Sequence, residues 1–149
     1  MNRKKYWIFG VAAAVVAVAS GAYAATTAKA ASTTNTPPAY VVKIAEQQAK
    51  ENGDPTPAGA VAIDTTRGAA MHAAAAGGVD GSQIPVWLVV LHGHFTDRNA
   101  SVPAGQPLPT GRVIVFTINQ RTHQIMDFGI GDRPPNLSSL GSVENFSMP

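Results

Sequence analysis

Two histidines separated by one residue, His92 and His94, are the side chains of this chain whose type and spacing could support chemistry. On a β-strand, residues i and i+2 project from the same face, so both imidazoles could bind one metal ion. Asp97, just beyond the predicted end of the strand, could add a carboxylate oxygen. The spacing therefore indicates a candidate metal site of His92, His94 and Asp97, in a metal-binding protein or a metal-dependent enzyme.

That spacing has an ordinary explanation as well, because polar side chains are common at the solvent-facing end of a strand. The metallo-hydrolase pattern His-x-His-x-Asp-His is not met, since Thr96 occupies the position of its aspartate. The other histidines, His72 and His123, would complete a ligand set only if the fold brought them beside the strand. We expect His123 in a turn and His72 in solvent, so both interpretations stay open.

Serine nucleophiles and paired carboxylates give no catalytic signature in this sequence. The chain lacks the patterns Gly-x-Ser-x-Gly and Ser-x-x-Lys. Ser101, His94 and Asp97 have the residue types of a serine triad, but nearness in sequence does not establish triad geometry. No catalytic residue and no cofactor is assigned, and the sequence favours a protein that is not an enzyme.

The segment from Asp97 to Gly111 is predicted to be a long exposed loop. Its prolines and glycines are incompatible with regular strand pairing. Binding residues concentrate on loops because a rigid scaffold can present them to a partner. We therefore expect this loop to contact a protein, peptide or envelope component through Val102, Pro103, Gln106 and Leu108.

An amphipathic helix is predicted ahead of these residues. After Thr36 as the N-cap and two prolines, five residues recur at helical spacing, namely Val41, Ile44, Ala45, Gln48 and Ala49. The turn residues 52–55 end the pattern. One face of this helix is therefore expected to pack on a sheet.

Strands are predicted after the helix. Ile84–Thr96 is apolar on both faces in its first half, which is typical of a strand in the middle of a sheet. Thr65 or Thr66 could cap a short Ala-rich helix that runs to Gly77-Gly78. These parts predict an α+β domain with a helix on an antiparallel sheet of about four strands. The other predicted strands are Gly59–Asp64, Arg112–Asn119 and His123–Ile130.

The predicted hairpin resembles the closing hairpin of PepSY-type domains, in which a strand ends in an Asp-or-Asn, x, x, Thr, Gly turn. Asn119 and Thr122 match this turn, and His123 stands where the family has glycine. The resemblance implies a cystatin-like shape and a non-catalytic binding or inhibitory module of the cell envelope. The segments 52–55 and 90–96 also resemble small secreted bacterial proteins, a likeness that implies no activity.

Residues 1–24 have the three parts of a secretory signal peptide. Arg3, Lys4 and Lys5 precede an apolar run, and Ala22-Tyr23-Ala24 fits a signal peptidase. An uncleaved membrane anchor is the alternative, because the apolar stretch approaches spanning length. The chain has no cysteine and hence no disulfide.

Removal of residues 1–24 takes away three of the 11 basic residues and none of the nine acidic ones, which leaves a net charge of about −1. This charge argues against nucleic acid or a membrane surface as the partner. We expect a spacer at 25–36, one domain at 37–143 and a loop-like tail at 144–149. The sequence thus predicts a small secreted binding module of the bacterial envelope or medium, with metal binding as the alternative.

Overall fold

The computed structural model describes residues 36–74 and 83–148. In this part of the chain, two helices accompany a five-stranded antiparallel sheet of order β4-β3-β2-β1-β5. The predicted α+β class is confirmed, with five strands in place of about four. The predicted signal peptide and all but the last residue of the predicted spacer lie outside the described residues. The elements are α1 (Ala39–Glu51), β1 (Gly59–Thr66), α2 (Arg67–Ala73), β2 (Pro85–Thr96), β3 (Thr110–Asn119), β4 (Ile125–Gly131) and β5 (Glu144–Phe146).

Helix α1 begins later than the sequence pattern predicts. The predicted cap at Thr36 is wrong, because the residue before the helix is Pro38, with φ −55° and ψ 149°, and no side chain caps the helix. Pro37 precedes a proline, and the residue before a proline is sterically disfavoured in the helical region. The two consecutive prolines therefore delay the helix to Ala39.

The predicted end of α1 is confirmed and has a specific geometry. Gly53 has φ +92°, a conformation that glycine adopts without strain. The N–H groups of Gly53 and Asp54 donate to the carbonyls of Lys50, at 3.2 Å, and Ala49, at 3.0 Å. This is a Schellman motif, and it directs the chain after α1 toward strand β2.

Helix α1 covers one face of the sheet. Of the five residues that the helical spacing places on this face, Val41, Ala45 and Ala49 are fully buried, and Ile44 and Gln48 are partly buried. Strand β2 is central in the sheet, as its two-sided apolar pattern predicts. The strand residues packed in the same cluster include Trp87, Val89, Leu91, Phe95, Ile114, Phe116 and Ile118.

The opposite face of the sheet has its own, smaller apolar cluster. It contains Val86, Leu88 and Val90 of β2, the alternate residues that the strand pattern assigns to this side. Helix α2 contributes Ala70 to this cluster. The two faces of the sheet thus pack against different helices, α1 on one face and the short α2 on the other.

Helix α2 begins where the sequence predicts. Thr66 is its N-cap, and the Thr66 hydroxyl accepts the N–H of Ala69 at 3.4 Å. The helix ends at Ala73, and the predicted end at Gly77-Gly78 lies outside the described residues. Neither helix of the described ranges is long and apolar enough to cross a membrane.

The turn between β3 and β4 is fixed by Asn119. Its side-chain oxygen accepts the N–H groups of Arg121, at 2.9 Å, and Thr122, at 3.0 Å. His123 lies in this turn, as predicted, with φ +58°. Its ring stacks on Tyr40 of α1, with the ring centroids 3.8 Å apart.

The end of the chain contains a strand that the sequence pattern does not predict. Glu144–Phe146 forms β5, which pairs with residues 60–62 of β1 in a chain region predicted to be loop-like. A strand of three residues is too short for alternation to be recognised. Its pairing partner alone makes it a strand.

Candidate functional site

The two predicted metal-binding histidines lie at a β-bulge in β2, His92 directly before it and His94 within it. The register with β3 shifts between His92 and Phe95. Within the bulge, the N–H of His94 donates to Asp54 Oδ2 at 2.9 Å. The Asp54 carboxylate lies so close to Gly93 that a Cβ at this position would collide with it. The loop after α1 can therefore lie this close to β2 because position 93 is glycine.

His92 and His94 line one polar cleft of about 530 Å³. The charged residues that line this cleft are Asp54, Arg112 and Asp132. Across residues 36–74 and 83–148, however, no group of three or more His, Cys, Asp or Glu side chains is placed to hold a metal ion. The structure therefore brings the two histidines to one cleft without a third ligand.

Asp97, the third residue of the predicted metal site, does not line this cleft. Its Oδ1 accepts the N–H of Asn99 at 3.1 Å, and its own N–H donates to the carbonyl of Pro109 at 2.8 Å. The backbone hydrogen bond of Asp97 to Pro109 thus connects the two ends of the long loop. The carboxylates that border the histidine cleft instead are those of Asp54 and Asp132, and the three-residue metal site stays a prediction.

The predicted partner-binding loop is accessible. Pro103, Gln106 and Leu108 are exposed, and Val102 is partly buried. The carbonyl of Pro103 accepts the N–H of Gln106 at 3.0 Å, and Gly105 has φ +84°, which together make a type II turn. Whether this loop contacts a partner stays a prediction.

A second cavity, which we name the β4 groove, lies on the sheet face opposite α1. It is bounded by α2, β3, β4 and residues 133–136, and has a volume of about 520 Å³. Its lining is mainly apolar and includes Ala70, Leu88 and Val115. Sites for small ligands have volumes of roughly 300–1,000 Å³, so this groove is large enough to hold one or more apolar side chains.

The β4 groove is open because two positions on β4 have no side chain. Gly129 pairs with Val115, and Gly131 pairs with Val113. A Cβ at either glycine would meet no atom within 4 Å, and neither glycine has a positive φ. Val115 therefore has no side chain opposite it on β4 and is partly exposed.

One end of the β4 groove is closed by an ion pair. Asp127 accepts hydrogen bonds from Arg67 Nε at 2.8 Å, from the Arg67 terminal nitrogen at 2.6 Å and from the Thr117 hydroxyl at 2.6 Å. The Arg67 hydrogen bond is the main cause that lowers the pKa of Asp127, and the Thr117 hydroxyl lowers it further, against the opposing effect of burial. These polar groups therefore satisfy one another and need no ligand.

The other end of the groove has the cationic side chain of Arg133. Arg133 lines the groove, is exposed and makes no ion pair within the described ranges. Pro134, next to it, lines both the β4 groove and the histidine cleft. The apolar groove and the polar cleft therefore adjoin at Pro134.

The β4 groove was not predicted from the sequence. The one signal for it is the alternation of glycines in residues 127–131, Asp-Phe-Gly-Ile-Gly, since glycine inside a strand often marks a place where a ligand or another backbone approaches closely. The sequence does not say what lies opposite these glycines. That depends on Val115 and on α2, which are distant in the chain.

Comparisons with protein-family models, with curated proteins and with solved structures find no match for this chain.

Proposed function

We propose that this protein is a secreted, non-enzymatic binding module that holds an extended peptide segment of a partner in the β4 groove. The observation that carries the proposal is the open apolar space above Gly129 and Gly131. Export is part of the proposal and is supported by the signal-peptide pattern of residues 1–24.

The chemistry of the groove indicates which peptide would fit. Val115 lines the groove and is partly exposed, so a bulky apolar side chain placed above Gly129 would be removed from water there. The ion pair at Asp127 is already complete, whereas Arg133, at the other end, makes no ion pair with a described residue. The preferred segment therefore has a bulky apolar residue and an acidic residue on its Arg133 side.

A filled groove tests the proposal. Gly129→Val places a side chain in the open space without backbone strain, and valine is favoured in strands. Peptides selected on the wild-type protein from a random display library should share the apolar and acidic residues, and should bind the Gly129→Val variant at least about tenfold more weakly.

The matched control is Gly59→Val, which adds the same atoms to β1, outside the groove. This control should retain the selected peptides. Selected peptides that bind the filled groove as tightly as the open one, or a selection that yields no binder, would refute the proposed site.

Metal binding is the second candidate, favoured by the opening of His92 and His94 into one cleft. Zinc and copper titrations by calorimetry, with the His92→Ala, His94→Ala double variant as control, separate the two functions. Stoichiometric metal that disappears in the double variant supports this alternative. An unchanged signal in that variant excludes the site.

A PepSY-like, cystatin-like relationship is also proposed, and the β3–β4 turn supports it. The resemblance places glycine at position 123, and His123 has the positive φ that glycine adopts readily. Asn119 stands where the resemblance expects Asp or Asn, and its side-chain oxygen accepts two N–H groups of the turn. The positive φ at position 123 supports the proposed relationship, because it suits the glycine that the resemblance expects there.

A further inference from the structure

The turn that ends α1 contains the pair Asn52-Gly53, whose residue types have a chemistry of their own. Asn52 is the only asparagine in the sequence that glycine follows. Asparagine before glycine is the arrangement most prone to deamidation, because glycine has no side chain to hinder attack by its backbone nitrogen on the asparagine amide carbon. This pair is therefore a place where the chain can be modified without an enzyme.

The folded structure buries this pair between the end of α1 and strand β2. Asn52 is only 2% exposed, although most asparagine side chains lie in solvent. Its Nδ2 donates to the carbonyl of Gln48 at 2.8 Å, and its own carbonyl accepts the N–H of Thr96 at 2.9 Å. The guanidinium of Arg98 lies beside Gly53, since a Cβ at that glycine would be 3.2 Å from an Arg98 terminal nitrogen. The amide that would react is therefore held in place and shielded from water.

The backbone of the turn also keeps the two reacting atoms apart. Deamidation needs the Gly53 nitrogen to lie on the same side of the Asn52 Cα–C bond as the Asn52 Cβ. The ψ angle of Asn52 is 15°, which places this nitrogen on the side of the Asn52 backbone nitrogen instead. The Gly53 N–H, which must lose its proton to react, donates to the carbonyl of Lys50 at 3.2 Å. The reaction therefore requires the turn to open.

We propose that Asn52 is a deamidation site, which the folded turn keeps unreactive and which separation of the α1 end from β2 makes reactive. In the open turn the deprotonated Gly53 nitrogen attacks Cγ of Asn52, the N–Cγ bond forms, and the Cγ–Nδ2 bond breaks to release ammonia. Water accepts the amide proton of Gly53 and supplies one to the leaving ammonia. A second water opens the succinimide to aspartate, or to isoaspartate, in which the main chain runs through the side-chain carboxyl carbon.

The products do not fit the closed turn. Aspartate at position 52 has no Nδ2 donor for the carbonyl of Gln48. It also places a negative charge in a buried position at the C-terminal end of α1, where the helix dipole disfavours an anion. Isoaspartate adds an atom to the main chain and so displaces the N–H groups that close the turn. One opening event is thus recorded as a lasting weakening of the contact between helix and sheet.

Peptide mass analysis tests the site on the wild-type protein. The protein is incubated at neutral pH, folded or unfolded in urea, and the conversion of each asparagine amide to an acid is followed. Asn52 should react at least about a hundredfold more slowly in the folded protein, because an ordered segment opens rarely. Asn99, which is exposed and precedes alanine, is the internal control and should differ much less between the two conditions. Asn52 that reacts as fast in the folded protein as in urea would overturn the proposal.

Gly93→Ala tests the opening step without altering the reacting pair. The added methyl group collides with Asp54, next to the turn, and should raise the deamidation rate of Asn52 in the folded protein about tenfold. Gly129→Ala, whose methyl group meets open space, is the matched control and should keep the wild-type rate. Equal rates in the two variants would show that separation of α1 from β2 does not control the reaction.

Asn52→Asp supplies one product directly. It should unfold at a lower urea concentration than the wild type, whereas Asn99→Asp, which adds the same charge at an exposed position, should not. An unchanged urea midpoint for Asn52→Asp would contradict the lasting weakening. Neither Asn52 nor Gly93 lines the β4 groove, so these results are independent of the proposed function.

Discussion

Asp127 is the residue that joins three separate elements of this protein. It lies on β4, and it accepts hydrogen bonds from Arg67 at the start of α2 and from Thr117 on β3. The side chains of Arg67 and Asp127 are only 28% and 16% exposed, so water competes weakly for these bonds. Asp127 therefore holds α2 against the sheet and shapes one end of the β4 groove.

The pKa of Asp127 predicts how this ion pair depends on pH. Its folded-state pKa is lowered, chiefly by the Arg67 hydrogen bond, so the unfolded chain takes up the proton first as the pH falls. The stabilisation is complete above the ordinary carboxyl pKa of about 4 and is lost as the pH falls through the lower, folded-state pKa. Asp127→Asn should lower the free energy of unfolding at pH 7 by about 1 kcal/mol and reduce its acid dependence.

Urea denaturation at several pH values measures this effect. Asp132→Asn is the control, because Asp132 is an exposed carboxylate with no hydrogen bond or ion pair to another described side chain. A difference between Asp127→Asn and wild type that stays constant down to pH 2 would contradict the role of the ion pair.

At the scale of the elements, the bulge in β2 links a strand to the end of a helix. The N–H of Thr96 donates to the carbonyl of Asn52 at 2.9 Å, and the N–H of His94 donates to Asp54. Both contacts bring the end of α1 to the same part of β2. The Schellman turn and the bulge therefore form one joint between helix and sheet.

Gly93→Ala tests this joint. The added methyl group would collide with the Asp54 carboxylate and lie 2.9 Å from the buried Phe95 ring. We expect a loss of about 1–3 kcal/mol in the free energy of unfolding, measured by urea denaturation. Gly129→Ala, where the methyl group meets open space, is the matched control and should change the stability by less than about 0.5 kcal/mol.

Removal of the Asp54 side chain should partly restore the variant. In a double-mutant cycle, Asp54→Ala leaves room for the methyl group of Gly93→Ala. The double variant should therefore lose less stability than the sum of the losses in the two single variants. Fully additive losses would show that the collision is with another group.

Local sequence signals predicted most elements, and tertiary pairing decided one exception, strand β5. The residues of α1 and β2 repeat over enough length for their periods to be recognised. The three residues of β5 are strand only because β1 lies beside them. Pro37 and Pro38 delay the start of α1 to Ala39 by a local steric effect. The sequence contains this signal, but the prediction of a cap at Thr36 did not take it into account.

At the scale of the whole molecule, export is predicted from residues 1–24 alone. Intact-mass analysis of protein from the medium should give a chain that begins at Ala25, or a few residues later if the second site, Ala28-Lys29-Ala30, is used. Ala24→Asp should block cleavage after residue 24, because a charged side chain does not fit the small pocket of the peptidase. Membrane-bound protein that still begins at Met1 would show that the segment is an anchor.

The sequence by itself determined the α+β class, the central place of β2 and the face of α1 that is buried, because each depends on a period repeated within one segment. Only the tertiary structure decided the candidate sites. Asp127 and Arg67 are 60 residues apart, and Asp54 and His94 are 40 apart, so no spacing rule connects them. The groove exists because the glycines of β4 lie beside Val115 on a face that α2 covers only in part, and pairing between strands, not residue type, sets that arrangement.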